Sequence, residues 1–335
     1  MRQRIKDEIV LFAVGIWIIG AMRREWLRLV FRQMKYGLLR VRVAVPRLAN
    51  EKFLWRKAFD HDPRFAIVTD KLAAKDWVAA QGIAAKMPQT LWSGTDANDI
   101  PDDLWQQPIY IKATHGCQMN IPVLTPPEDR AAVIAAANAF VTREHGARQR
   151  QWAYSQVPRA LIAEQAISPG TELMEVKYYT YGAVVEQFVL RRAGPPVTAA
   201  RWLRQADGSF IRSNQPTVIS KIIDPSPLPD VVFKGLALAA EIGALFDHMR
   251  VDTLVDGDDV YLGELTVYNI AGRVPLNGDK VDDYLNRSWD LRRSWFLTTP
   301  QPGWRGRYAA ALRRKLDSAD RGVRTAGNPP AIPAG

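Results

Sequence analysis

A single cysteine, Cys117, stands among 335 residues, so neither an intramolecular disulfide nor a multi-cysteine metal site can form. That usage fits a reducing compartment such as the cytoplasm. Only four histidines are present, and His115 and His145 have no partners at metal-ligand spacing, which argues against a histidine-rich metal centre and makes both polar loop residues. No internal repeat is visible. Beyond residue 57 there is no charge imbalance either, with 31 basic and 31 acidic residues. Residues 1–57 hold 14 Lys+Arg against 4 Asp+Glu, so the whole net charge of +10 lies at the N-terminus. An anionic membrane surface explains such a segment at least as well as nucleic acid does, and no nucleic-acid partner is expected. The 47% apolar content and eleven tryptophans exclude wholesale disorder.

An uncharged apolar run, Ile9 to Met22, has 14 residues between Arg2, Arg4, Lys6 and Arg23, Arg24. As a helix it reaches about 21 Å, short of the roughly 30 Å hydrocarbon core. No small-x-small cleavage site follows it. Three readings stay open: a membrane-surface helix, a helix buried in the protein or an oligomer, or a spanning or cleaved segment.

From Pro46 the composition is that of an ordinary soluble domain. A helix is expected over Asn50–Phe59, a turn at Asp60–Pro63, and a second helix opening near Thr69 or Asp70, with Leu72, Trp77 and Val78 inward and Lys71 in its first turn. Ile109–Lys112 reads as a strand leading through ATHGCQMN into the apolar IPVL; such a loop can cradle polyphosphate, although one glycine makes it far weaker than a P-loop. Thr125 and Glu128 form a capping box for an alanine-rich helix ending near Arg143. Strands follow at Ala160–Ile167, Leu173–Thr180 and Ala183–Arg191, then a loop over Gly194–Pro216 with a turn at Asp207-Gly208. Val231–Met249 reads as a helix packing through Leu236, Ala240, Gly243 and Phe246, and the chain beyond about Asp317 has the composition of a disordered tail.

The chain is organised around Met249 to Gly272, two period-2 segments joined by an acidic turn. If three residues form the loop, Asp256 pairs with Val260, and Asp252 lies opposite Glu264 on a face shared with Arg250 and Thr266. A two-residue loop puts the two carboxylates on opposite faces. Side by side they repel unless a cation lies between them, and hard oxygen ligands suit Mg²⁺ with bound phosphates. An isolated pair of this kind also fits an ordinary solvated hairpin face.

An ordered set of segments resembles the ATP-grasp superfamily, in particular its TupA-like branch: PRLANEKFLW, TDKLAAKDWV, IKATHG with Asn120, LIAEQAI, EVKYYTYG, and MRVDTLV with GELT. The resemblance covers roughly residues 46 to 300. It implies an α+β protein with the ATP-grasp fold, two α+β subdomains clasping a nucleotide, preceded by an N-terminal helical segment. The implied divisions are 1–45 for that segment, 46–165 for a helical lead-in and first subdomain, 166–317 for the second, and 318–335 for the tail. It further implies ATP and Mg²⁺, with Lys71 and Lys112 on the phosphates and Gly116, Asn120 and Lys177 at the nucleotide. Glu164, Gln165, Ala166 and Ile167 would meet the adenine edge and Glu175 the ribose; Asp252, Glu264 and Thr266 would hold metal, and Arg250 with Lys112 would act at the reacting phosphate. Superfamily members commonly carry Asn two residues past the second acid, where this chain has Thr266, with Asn269 nearby.

The implied activity is ATP-dependent carboxylate–amine ligation through an acyl phosphate, in cell-surface polysaccharide or peptide-polymer synthesis. The acceptor would be a small molecule or polymer with a carboxylate. A degenerate nucleotide-binding partner of a membrane-associated complex, or an ATP-independent transferase, are the alternatives. Residues 1–45 are expected to bring the protein to anionic membrane without being needed for nucleotide binding.

Overall fold

The computed structural model describes residues 1–34, 41–167, 173–273 and 288–326. Their contacts group into two compact units, residues 1–61 with 274–335, and residues 62–273. Of the implied boundaries, that at 165 coincides with the end of the strand Leu161–Gln165, and that at 317 falls inside the helix Gly303–Ala326.

The first unit is helical. Helix α1 (Arg2–Ala21) buries Leu11, Val14 and Ile18 and packs against the C-terminal helix Gly303–Ala326, α2 (Arg23–Met34) and α3 (Ala49–Phe59). Helix α3 begins where expected and is buried at every position. The Glu51 carboxylate accepts from the backbone N–H groups of Arg42, Arg47 and Leu48 at 2.7–3.0 Å, serving donors that lack a helical partner. Trp55 donates to the Tyr308 hydroxyl at 2.7 Å, which donates to the Ala44 carbonyl at 2.9 Å. Phe59, Phe296 and Tyr308 close an aromatic cluster around them. The N-terminal run is therefore half in the protein. Deleting residues 1–45 would open this core, so that deletion cannot isolate membrane contact. Helix over 303–326 also corrects the expected tail: order continues past Asp317 to Ala326, and 327–335 lie outside the described residues.

The second unit carries two antiparallel sheets. Strands β1 (Thr90–Gly94), β2 (Ile109–Ala113), β3 (Asn120–Val123) and β4 (Leu161–Gln165) form the first, in the order β1-β4-β2-β3. Strands β5 (Met174–Tyr181), β6 (Val184–Arg192), β7 (Thr198–Arg204), β8 (Phe210–Arg212), β9 (Met249–Asp256) and β10 (Asp259–Thr266) form the second, in the order β10-β9-β5-β6-β7-β8. Hairpin β7–β8 occupies what the sequence suggested was loop, around the expected turn at Asp207-Gly208. Helix α4 (Pro63–Thr69), capped by the Asp62 carboxylate, follows the expected turn at Asp60–Pro63 and lies ahead of the expected second helix, and α5 (Ala73–Ala80) starts later than expected. Asp70 Oδ1 accepts from Leu72 and Ala73 N–H at 2.9 and 3.3 Å, which leaves Lys71 in the turn before the helix. Helix α6 (Arg130–Thr142) is capped by Asp129, not by the Thr125–Glu128 box.

Helix α7 (Val231–Gly243) lies against β5, β6 and β9, and ends before the strand instead of running into Met249. The expected Gly243 is buried together with Val232, Gly235, Ala239 and Ile242, and Phe246 just beyond the helix is buried too, whereas the expected Leu236 and Ala240 are half-buried, each one position off a buried neighbour. The offset has a steric origin, because glycines at 235 and 243 let the helix axis approach the sheet. A Cβ at Gly243 would sit 2.5 Å from the Thr180 side chain. Gly243→Ala is therefore expected to lower unfolding stability by about 1–3 kcal/mol through overpacking, read as a lower urea midpoint at unchanged slope; an unchanged midpoint would contradict this packing.

Candidate functional site

The β9–β10 hairpin turns through two residues, Gly257 and Asp258, since Asp256 pairs with Asp259. By itself that register would put the two acids on opposite faces. A bulge at Gly263 adds one residue to β10 between Leu262, paired with Thr253, and Glu264, paired with Asp252. The carboxylates therefore share a face, by a route other than the three-residue loop. Alternation along β10 resets there, with Leu262 and Leu265 both buried.

Asp252 sits in a clamp. Arg250 donates to both of its oxygens, Nε at 2.6 Å and Nη2 at 2.7 Å, and Lys177 donates at 2.8 Å. Arg250 also donates to Asn269 Oδ1 at 2.9 Å and to the Thr266 hydroxyl at 3.0 Å, so four of its five N–H groups are committed to protein. Burial by itself would raise the Asp252 pKa, but Arg250 and then Lys177 outweigh it and hold the carboxyl below the usual carboxylate range. Lys177 shows the mirror effect: burial works against its charge, yet Asp252 pushes the ammonium pKa up. Among the described residues, Glu264 accepts only a long contact from Thr266, at 3.5 Å.

A cleft of about 550 Å³ lies between the two sheets of this unit. Asp252 and Glu264 line it, with Leu254, Glu175 and Arg191 from the same sheet. Facing residues include Tyr110 and Lys112 on β2, Asn120 and Pro122 on β3, and Gln165 and Ile167 at the end of β4. Lys71 and loop residues Gly116 to Met119 complete the lining. Lys71 donates its backbone N–H to the Thr114 carbonyl at 3.1 Å and its ammonium to the Gly116 carbonyl at 2.5 Å. Among the described residues it has no carboxylate partner. Gly116 has φ +82°, and a Cβ there would meet His145 at 2.5 Å, so the loop needs glycine on both counts.

Five implied site residues do not line the cleft. Glu164 is buried below it, paired with Lys112 at 2.7 Å and with Lys75, and these two lysines together hold its carboxyl below the ordinary range against burial. Arg250 and Lys177 act from beneath through Asp252, and Thr266 ties Arg250 to Glu264. Ala166, next to Gln165, is buried outside the lining as well. Sequence reasoning missed Lys75, Tyr110 and Arg191; Lys75 lies four residues past Lys71 at helical spacing, which was the available signal. His115 and His145 both lie in loops and are packed into the protein. His115 is buried, with Nε2 at 3.0 Å from the Arg143 carbonyl. His145 stands edge-on to buried Tyr154 and 3.8 Å from Cys117 Sγ. Burial pushes the thiol pKa up, helped by nearby Glu264.

No three His, Cys, Asp or Glu side chains cluster as a metal site among the described residues. The donor set still suits Mg²⁺, which takes one or two carboxylates with waters and substrate phosphates. Among the described residues no cation pairs with Glu264, and Asp252 keeps one of about four lone-pair directions after the three hydrogen bonds from Arg250 and Lys177.

Burial lowers the pKa of His61, His115 and His145 from the usual 6.5. A depressed folded pKa means that the unfolded chain binds more protons, so stability is held above the unfolded value and lost as pH falls through the folded ones. The urea midpoint is expected to be lower at pH 5.5 than at pH 7.5. A midpoint that rises on acidification would contradict the buried, neutral histidines.

Among solved structures, the chain is similar to the D-alanine–D-alanine ligase of Bacillus anthracis, at 14% identity over 77% of this chain and 69% of that one, with a TM-score of 0.36. It is similar to the ATP-grasp ligase PsnB complexed with a precursor peptide and AMPPNP, at 12% identity over 89% and 73%, TM-score 0.36. A third is the L-amino acid ligase of Bacillus licheniformis, at 10% over 67% and 49%, TM-score 0.37. No curated protein matches. At those scores the structural likenesses carry no weight in the assignment, which rests on a family model matching residues 51–289, well over half of the sequence. By that match the chain belongs to the TupA-like ATP-grasp family.

Proposed function

We propose that the protein is an ATP-dependent ligase that joins a carboxylate to an amine, acting on a precursor of a cell-surface polysaccharide or peptide polymer. The observation that carries this reading is the cleft of the second unit, in which Lys71 and Lys112 face the Asp252–Glu264 pair. Family membership supplies the nucleotide; the two α+β layers, 46–165 and 166–317, would be the parts that clasp it. Lys71 and Lys112 would hold phosphate oxygens, with Gly116 and Asn120 of the loop beside them. Gln165 to Ile167 would meet the base edge and Glu175 the ribose hydroxyls. We locate the reaction in the cytoplasm, at the inner face of the cell membrane.

Asp252 and Glu264 would hold Mg²⁺, whose chemistry when bound is to offset negative charge on the phosphates. The protein's own part is positioning. Arg250 and Lys177 keep the Asp252 carboxylate ionised and fix both of its oxygens. Thr266 and Asn269 fix Arg250 in turn, so the rotamer of Asp252 is set before any ligand arrives. Glu164 does the same for Lys112 and Lys75, holding two ammonium groups near the cleft floor. The acceptor carboxylate would attack the γ-phosphorus, forming a C–O–P linkage as the bond to ADP breaks, and an amine would then displace phosphate.

Loop packing favours a second reading, a nucleotide-binding partner without turnover, because buried His115 and the Gly116–His145 contact leave the phosphate loop little room to move. ADP release from Mg-ATP with a panel of amino acids and uronic acids separates the two. Under conditions where the wild type turns over, Glu264→Gln is expected to abolish ADP release while keeping the fold. Lys112→Ala should instead weaken nucleotide binding by about 1.5–3 kcal/mol, the loss of one well-made charged hydrogen bond. Unchanged ADP release in Glu264→Gln would sink the mechanism.

A further inference from the structure

Helix α1 leaves one apolar face uncovered. Ile5, Ile9, Phe12 and Ile16 are 54, 63, 72 and 57% exposed, and at 100° per residue they fall within an arc of about 60°. Leu11, Val14 and Ile18 cover the opposite side and are buried in the first unit. A shallow groove of about 430 Å³ runs along the exposed face, lined by Met1, Arg4, Ile5, Glu8, Ile9 and Phe12. A surface stripe of this kind is uncommon on a monomeric protein unless something covers it.

Charge says what covers it. The two acids of α1 are both engaged by the C-terminal helix: Asp7 accepts from Arg314 at 2.7 and 2.8 Å, and Glu8 from Lys315 at 2.5 Å. Arg2, Arg4 and Lys6 have no partner among the described residues. The unit formed by residues 1–61 and 274–335 contains 25 Lys+Arg and 11 Asp+Glu, a balance of +14. Residues 62–273 contain 20 and 24, a balance of −4. The excess positive charge therefore sits on the unit that bears the stripe, and it comes from both ends of the chain. The N-terminal segment alone accounts for only part of it.

We infer that this face docks on an anionic lipid bilayer, with α1 lying in the plane of the interface. The stripe would enter the boundary between headgroups and acyl chains while Arg2, Arg4 and Lys6 meet lipid phosphates. No helix among the described residues is long and apolar enough to cross the membrane, so the helix lies on the bilayer. A second copy of the chain is the poorer occupant, because pairing through this face would bring two units of +14 together. Nucleic acid would account for the charge and leave the stripe without a role. The inference specifies the location given in the proposed function but stands on the first unit alone, so failure of ATP turnover would leave it untouched.

Flotation of the full-length protein with phosphatidylcholine vesicles, with and without about one third phosphatidylglycerol, tests it. Binding is expected to the anionic vesicles and to be weak on the zwitterionic ones. The double variant I9E/F12E alters two exposed side chains and should keep the wild-type urea midpoint and nucleotide affinity. Its vesicle affinity should fall by at least about ten-fold. Val218→Glu, at a 60% exposed position of the other unit, should bind as wild type. Three results would overturn the inference: no binding to anionic vesicles, binding equal in I9E/F12E and wild type, or a concentration-dependent dimer that I9E/F12E abolishes.

Discussion

Two carboxylates on neighbouring strands repel one another, and the architecture of the cleft depends on how that repulsion is offset. Arg250 and Lys177 neutralise one member, Asp252, from below, and leave the other, Glu264, facing the cleft with, among the described residues, a single long contact from Thr266. The arrangement is asymmetric: one acid is fixed and the other is open. Fixing Asp252 in turn requires Thr266 and Asn269 to hold Arg250, and Glu175 to share Lys177. Removing Arg250 or Lys177 would take a counter-charge from buried Asp252, and removing Thr266 or Asn269 would leave an N–H of buried Arg250 without its acceptor, each costly in a low-dielectric setting. On the opposite sheet, Glu164 plays the corresponding part for Lys112 and Lys75. The cleft thus meets a ligand with preset charges on both walls.

Period-2 alternation made strands β5, β6, β9 and β10 legible, and the acids at 252 and 264 could be paired from the sequence. The route to that pairing was not legible. Turn length and bulge each shift the register by one residue, and their effects cancel, so a three-residue loop and a two-residue loop with a bulge at Gly263 give the same opposition. Only the spacing of buried Leu262 and Leu265, three instead of two, marks the difference. Strand β7 was missed because Thr198 to Arg204 carries two alanines and two arginines in a proline-flanked stretch, where local preference is weak and pairing with β6 decides. On α7 the sequence placed Gly243 correctly but took Leu236 for Gly235, because glycine carries no hydrophobic signal, yet Gly235 and Gly243 are where the helix comes closest to the sheet.

Lys71, Lys112, Glu175, Asp252 and Glu264 all line one cleft. Glu164, Lys177, Arg250 and Thr266 stand behind them. Sequence motifs do not separate these two roles, because residues that touch a ligand and residues that orient them alternate along the same strands. The partition of charge was hidden for a different reason. The basic residues after 274 belong with the N-terminal helices only once the chain has folded, and no linear window brings them together.

Metal binding at the carboxylate pair tests the account most directly. Mn²⁺, a spectroscopic stand-in for Mg²⁺, can be titrated by electron paramagnetic resonance against the protein with a non-hydrolysable ATP analogue. The account predicts one or two nucleotide-dependent Mn²⁺ ions per chain, lost in Asp252→Asn although circular dichroism shows the fold intact. Equal Mn²⁺ binding by Asp252→Asn and wild type would contradict it.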